Sequence, residues 1–89
     1  MAWVIELDRA AERELDKLDP QAARRILTFL YERLSLLEDP RSIGQALSGA
    51  KLGSFWKYRL GDYRLISSIE DKRLVVLILK VGNRREVYQ

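Results

Sequence analysis

The stretch 55-FWKYRLGDYRL-65 decides how this chain folds. Gly61-Asp62 suits a two-residue hairpin loop, with glycine at the first central position as a type II′ turn requires. That turn sets a register in which Leu60 pairs with Tyr63, Arg59 with Arg64, Tyr58 with Leu65 and Lys57 with Ile66. Side chains alternate along a strand, so Trp56, Tyr58, Leu60, Tyr63 and Leu65 share one face and Lys57, Arg59 and Arg64 share the other. The first set can pack beneath helices. The second is a cluster of three cations on an open face. Like charges directly opposite in a sheet cost a fraction of a kcal/mol up to about 1 kcal/mol. Two arginines can stack or share a carboxylate, with Asp62 and Glu86 as partners to consider. Yet an arginine pair flanked by lysine stabilises a small domain poorly and holds phosphates well.

Working upstream, residues 2–7 (AWVIEL) alternate with Trp3, Ile5 and Leu7 on one side, a short strand. Asp8 can cap a helix running to about Leu18, and Asp19-Pro20 reads as the cap and first residue of a second helix. Ala23, Ile26, Leu27, Leu30, Leu34 and Leu37 then recur at three- and four-residue steps, predicting one long amphipathic helix stopped by Asp39-Pro40. Residues 41–53 contain three glycines and read as a loop. Their GQALSGAKL is not a phosphate-binding loop: Ala50 occupies the lysine position, no Ser or Thr follows Lys51, and a helix precedes it. Downstream, 63–69 and 74–81 read as strands, the latter apolar on both faces through Leu79 as a central strand would be. Gly82-Asn83 is expected to turn the chain into the tail RREVYQ. The expectation is an α+β domain spanning 1–89, ordered β-α-α-β-β-β, with a helical hairpin packed on a small, mostly antiparallel sheet.

Composition narrows the chemistry. With 89 residues, 47% of them hydrophobic and 33% charged, the chain suits one modest core and not disorder. No apolar run approaches the roughly 20 residues that span a bilayer, and the N-terminus lacks a signal-peptide pattern, so a cytoplasmic location without membrane contact is expected. There is no cysteine and no histidine. Disulfides, thiolate and imidazole nucleophiles, Ser-His-Asp triads and nearly every zinc site are thereby excluded. Residues 1–50 hold 7 Lys/Arg against 9 Asp/Glu, whereas 51–89 hold 9 against 4. The C-terminal half therefore invites an anionic partner. Arg84, Arg85 and Tyr88 follow the last strand. If the tail folds back toward the open face, it adds guanidinium groups and a ring able to stack on a base.

The order of elements, the length and the segment LSGAKLGSFWKYRLGDYRLISSIEDKRLVVLILKVGNRREVY resemble RelE toxins of the RelE/ParE superfamily, the toxic halves of bacterial type II toxin–antitoxin pairs. The basic pair Lys57/Arg59, the YRL at 63–65, the VG at 81–82 and the tail Arg and Tyr carry the likeness. The resemblance implies a ribosome-dependent endoribonuclease that cuts mRNA in the A site by attack of the RNA's own 2′-hydroxyl. It would need no metal or other cofactor, leaving a 2′,3′-cyclic phosphate and a 5′-hydroxyl. The family's catalytic positions fall on Lys57, Arg59, Arg64, Arg84 and Tyr88, with Lys51 and Arg85 as further RNA contacts. Ser48 stands where relatives often carry arginine. Lys57 is the candidate base, because lysine between like charges can give up a proton where arginine does not. Also implied are an acidic antitoxin that folds on binding, a free monomer, and a higher-order complex with that antitoxin. The competing reading is a ParE-like gyrase inhibitor that binds protein and cuts nothing. A third is a nucleic-acid-binding module without turnover.

Overall fold

The computed structural model describes residues 2–47 and 55–87. Strand β1 (Val4–Leu7) leads into helices α1 (Arg9–Lys17) and α2 (Pro20–Glu32); strands β2 (Gln45–Ala46), β3 (Phe55–Leu60), β4 (Tyr63–Glu70) and β5 (Val75–Asn83) follow, and α3 (Arg84–Val87) closes the order. The sheet runs β1-β5-β4-β3-β2. Among the described residues, the β1–β5 pairing is parallel, and the β5–β4, β4–β3 and β3–β2 pairings are antiparallel. The architecture is therefore α+β, two helices on a mixed five-stranded sheet.

Both helices start as the sequence dictates. Asp8 accepts from the Ala10 amide at 3.1 Å and Asp19 from the Ala22 amide at 3.3 Å, each satisfying an amide that the first turn leaves without a partner. Pro20 opens α2 at a position where its missing N–H costs nothing. The expected long second helix is shorter: α2 ends at Glu32, the backbone leaves the helical region at Arg33, and Leu34–Leu36 form a 3-10 turn. The cause lies at Ser35. Its hydroxyl donates to the Tyr31 carbonyl at 2.7 Å, and its own carbonyl accepts the Trp3 amide at 2.7 Å. The hydroxyl thus takes the carbonyl that the Ser35 amide would use in a continued helix, and the Ser35 carbonyl ties the following turn to the chain entering β1. Leu34 is still fully buried. The apolar stripe marked its burial correctly and its backbone wrongly.

Tyr58 and Leu65 from the hairpin meet Ala11 and Leu15 of α1, Ile26, Phe29 and Leu30 of α2, and Val76, Ile78 and Val81 of β5 in one core. The Phe29 and Tyr58 rings lie 6.0 Å apart, and the Tyr58 hydroxyl donates to the Pro40 carbonyl at 2.8 Å. Burial pushes that hydroxyl's pKa up. Each fully buried aliphatic side chain contributes about 1.5–3 kcal/mol. The helix-facing side of the hairpin thus outweighs the cross-strand repulsion on its other side.

Three further expectations are corrected. Residues 41–53 are not all loop: Pro40–Ile43 form a 3-10 turn, and Gln45–Ala46 add an edge strand to β3. Leu74 lies outside the last strand, in a turn with φ +54°, and its carbonyl accepts the Val4 amide at 2.8 Å. Gly82 and Asn83 do not turn the chain but extend β5, opposite Arg64 and Tyr63. A register shift between Ile66 and Ser67 leaves Leu79 without a partner in β4. This bulge lets both Ile78 and Val81 face the helices although three positions separate them. No helix among the described residues is long and apolar enough to cross a membrane.

Candidate active site

The hairpin has the register its turn demands. Lys57 pairs with Ile66, Tyr58 with Leu65, Arg59 with Arg64 and Leu60 with Tyr63. Gly61 carries φ +60°, and Asp62 keeps a negative φ, as a type II′ turn requires. The Arg84 amide donates to the Asp62 carbonyl at 2.9 Å, which fastens the start of α3 beside the turn. The Arg85 amide is held by the Asn83 side chain at 3.1 Å.

These local constraints bring Lys57, Arg59, Arg64, Arg84 and Arg85 together with Gln45 around one open cleft of about 340 Å³. The cations come from β3, β4 and the first turn of α3. Tyr88 and Lys51, which the sequence also singled out, lie outside the described residues, as does Ser48.

One placement differs from expectation. Arg64 is not on an open face but buried, 6% exposed. Its guanidinium folds back to donate to the Gly61 carbonyl at 2.8 Å and the Tyr63 carbonyl at 2.9 Å. Gly82 stands across from it in β5 and contributes no side chain there. The carboxylate partner considered for it is absent from its hydrogen bonds. Among the described residues, Arg41 pairs with Asp39 and Asp71, and Arg73 with Glu6 and Glu70. None of these pairs involves Arg59, Arg64, Arg84 or Arg85. A buried charge that meets only neutral acceptors keeps its field. Such a cleft can bind a phosphate and stabilise extra negative charge on it.

The sequence missed Gln45. A two-residue edge strand has no alternation to detect, and its pairing partner Lys57 lies beyond an intervening loop. The segment before it is fastened at several points. Arg41 donates to Asp71 at 3.0 and 2.6 Å and to Asp39 at 3.3 Å, and lies 5.8 Å from the Trp56 ring centroid. A Cβ at Gly44 would come within 2.8 Å of the Tyr58 ring, so only glycine allows the chain to pass so close.

The layout of two helices on this sheet is that of RelE toxins. It superposes on the toxin–antitoxin complex RelBE2 from Mycobacterium tuberculosis with a TM-score of 0.85 at 30% identity, covering 94% of this chain and 93% of that one. Toxin RelG of the same organism is 32% identical over 89 residues, 100% of this chain and 99% of that protein. The mRNA interferase toxin RelE of Escherichia coli is 32% identical over 90 residues, 99% of this chain and 92% of that protein. Residues 5–88 match the family model for the ParE toxin of type II toxin–antitoxin systems, parDE. The chain belongs to this family, as a RelBE/ParE-type toxin.

Proposed function

We propose that this toxin is a ribosome-dependent endoribonuclease that cleaves mRNA in the A site and so halts translation. The observation that carries the reading is the buried, carboxylate-free Arg64, paired with Arg59 across the hairpin, in a cleft that Lys57, Arg84 and Arg85 also line. A gyrase inhibitor acting through protein contact has no need of that arrangement.

In the reaction the 2′-oxygen forms a bond to the adjacent phosphorus as the bond to the 5′-oxygen breaks. The 2′-proton passes to Lys57 and is later released to water, and the 5′-oxygen takes a proton from solvent. Arg59 and Arg64 hold the scissile phosphate and its added charge, since guanidinium stays protonated and matches two oxygens at once. Arg84 stabilises the departing oxygen electrostatically, and Arg85 contacts the flanking backbone. By resemblance, Tyr88 stacks on a codon base and Lys51 meets the RNA backbone. The ribosome's part is to fix the substrate bend, because orienting reactants is worth several kcal/mol. Free mRNA is therefore a poor substrate.

The partner is an acidic antitoxin, in keeping with the antitoxin-bound state of the M. tuberculosis RelBE2 structure. Action on ribosomes would occur in the cytoplasm. The alternative is a ParE-like toxin, the name the family model carries, acting by gyrase inhibition without RNA cleavage. In vitro translation followed by primer extension separates the two. Discrete breaks within A-site codons, far faster than on free mRNA, are expected. Intact mRNA together with blocked supercoiling would overturn the nuclease reading, and equal cleavage of free and ribosome-bound mRNA would overturn its ribosome dependence.

A further inference from the structure

Resting on the cleft's assignment to RNA, we propose that Gln45 reads the base of the nucleotide that carries the attacking 2′-hydroxyl, and that it selects adenine. Four of the six side chains lining the cleft are arginines that only donate, Lys57 is engaged with the 2′-hydroxyl, and donors aimed at phosphate carry no sequence information. Gln45 alone among them pairs a donor with an acceptor. Its carboxamide can meet adenine N6 and N7 together, the match that a glutamine makes with that edge. Guanine presents two acceptors on the same edge and suits arginine instead.

The order of strands tells which nucleotide it meets. Gln45 in β2 pairs with Lys57 in β3; Arg59 and Arg64 face each other across β3 and β4; Arg84 follows β5. With strands about 4.8 Å apart, β2 and β5 are separated by roughly 14 Å, so Gln45 and Arg84 flank the phosphate grip from opposite sides. Phosphoryl transfer needs its attacking and leaving oxygens roughly in line through phosphorus. Arg84 occupies the leaving-group side, so Gln45 and Lys57 occupy the attacking side. The base nearest Gln45 is then the one on the 5′ side of the cut. The reading also requires a fixed backbone. The Arg41–Asp71 pair, the close pass of Gly44 by Tyr58 and the Leu47 amide bond to Phe55 at 3.0 Å supply it.

The test uses the whole chain and short RNAs with a non-cleavable 2′-O-methyl group at the scissile position, identical except for the base 5′ of the cut. Binding to the adenine version is expected to be about five- to one-hundred-fold tighter than to the others. Gln45→Ala should bring the four affinities to within about two-fold of one another, by weakening adenine and leaving the rest. Equal affinities in the native protein would overturn the proposal. So would a preference that survives Gln45→Ala, and a guanine preference would assign the reading to an arginine. Because binding is measured without turnover, the outcome is independent of the nuclease reading. Adenine-selective binding lost in Gln45→Ala by a protein that never cuts mRNA keeps Gln45 as the adenine reader and refutes the nuclease reading. Cleavage on ribosomes with a base preference unaffected by Gln45→Ala does the reverse.

Discussion

Arg41 and Arg64 are both tied down by hydrogen bonds, but to opposite effect. Arg41 meets two carboxylates, Asp71 and Asp39, and lies over the Trp56 ring. Its charge is neutralised where it stands, and what it does is fasten the segment leading to β2 onto the turn after β4. Arg64 is more deeply buried yet meets only the carbonyls of Gly61 and Tyr63. Its position is fixed while its charge is left for something else to answer. A protein seeking stability alone would place an apolar side chain at the buried site. Under the proposed function, Arg64 is where the negative charge of the RNA would sit.

The sharpest way to break this contrast is to remove cleft cations one at a time. Lys57→Ala is expected to lower ribosome-dependent cleavage by about 100- to 10,000-fold, the usual worth of a positioned base. Arg64→Ala and Arg84→Ala should each cost about 100- to 1,000-fold through lost charge stabilisation. Primer extension gives the rates, and circular dichroism melting verifies that the fold persists. Near-native cleavage in Lys57→Ala would remove it from the mechanism. The same result in Arg64→Ala would mean that its uncompensated charge is a structural accident.

A second comparison turns on stability. Arg59 faces Arg64 across the hairpin, and like charges there oppose the fold. Arg59→Thr should therefore raise unfolding free energy by a few tenths up to about 1 kcal/mol, read as a higher urea midpoint, while cleavage collapses. A loss of stability instead would show that the two guanidinium groups stack favourably and that the cleft carries no stored repulsion.

How far the sequence reached follows the same division between local and distant causes. The hairpin register was legible because one Gly-Asp turn dictates it, and both helix starts because Asp8 and Asp19 cap within a turn. The end of α2 was not, since the 3-10 turn that follows it is held to the chain entering β1 by a bond between Ser35 and Trp3, residues 32 positions apart by number. The burial of Arg64 was hidden because alternation assigns a face, while the fold-back onto carbonyls depends on the shape of the turn. Arg84 and Arg85 could be suspected from composition, but only their backbone bonds to Asp62 and Asn83 bring them to the cleft mouth. Gln45 gave no signal at all. Its role as a lining residue comes from pairing across a loop, with Gly44, Tyr58 and Arg41 holding the segment in place.

The smallest expected effect separates the two arginines by acidity. The hydrogen bond from Arg41 holds the Asp71 carboxyl below the usual aspartate range. A group whose folded pKa is depressed contributes stability above its unfolded value and loses it as pH falls through the folded one. The Arg41–Asp71 link should therefore hold at neutral pH and fade below about pH 3.9, the ordinary aspartate value. Asp71 is exposed, so the contribution is small and added salt should weaken it further. Arg64 rests on carbonyls, which do not titrate, so acid leaves its contacts in place. Subtracting the acid-unfolding profile of Asp71→Asn from that of the native protein isolates the carboxyl from the other acidic groups. The difference should be positive at neutral pH, shrink on acidification and shrink again in high salt. Superimposable profiles would mean that the link to Arg41 does not hold the β2 segment in place. The anchoring of Gln45 would then rest on the close pass of Gly44 by Tyr58 and on the Leu47 amide bond to Phe55.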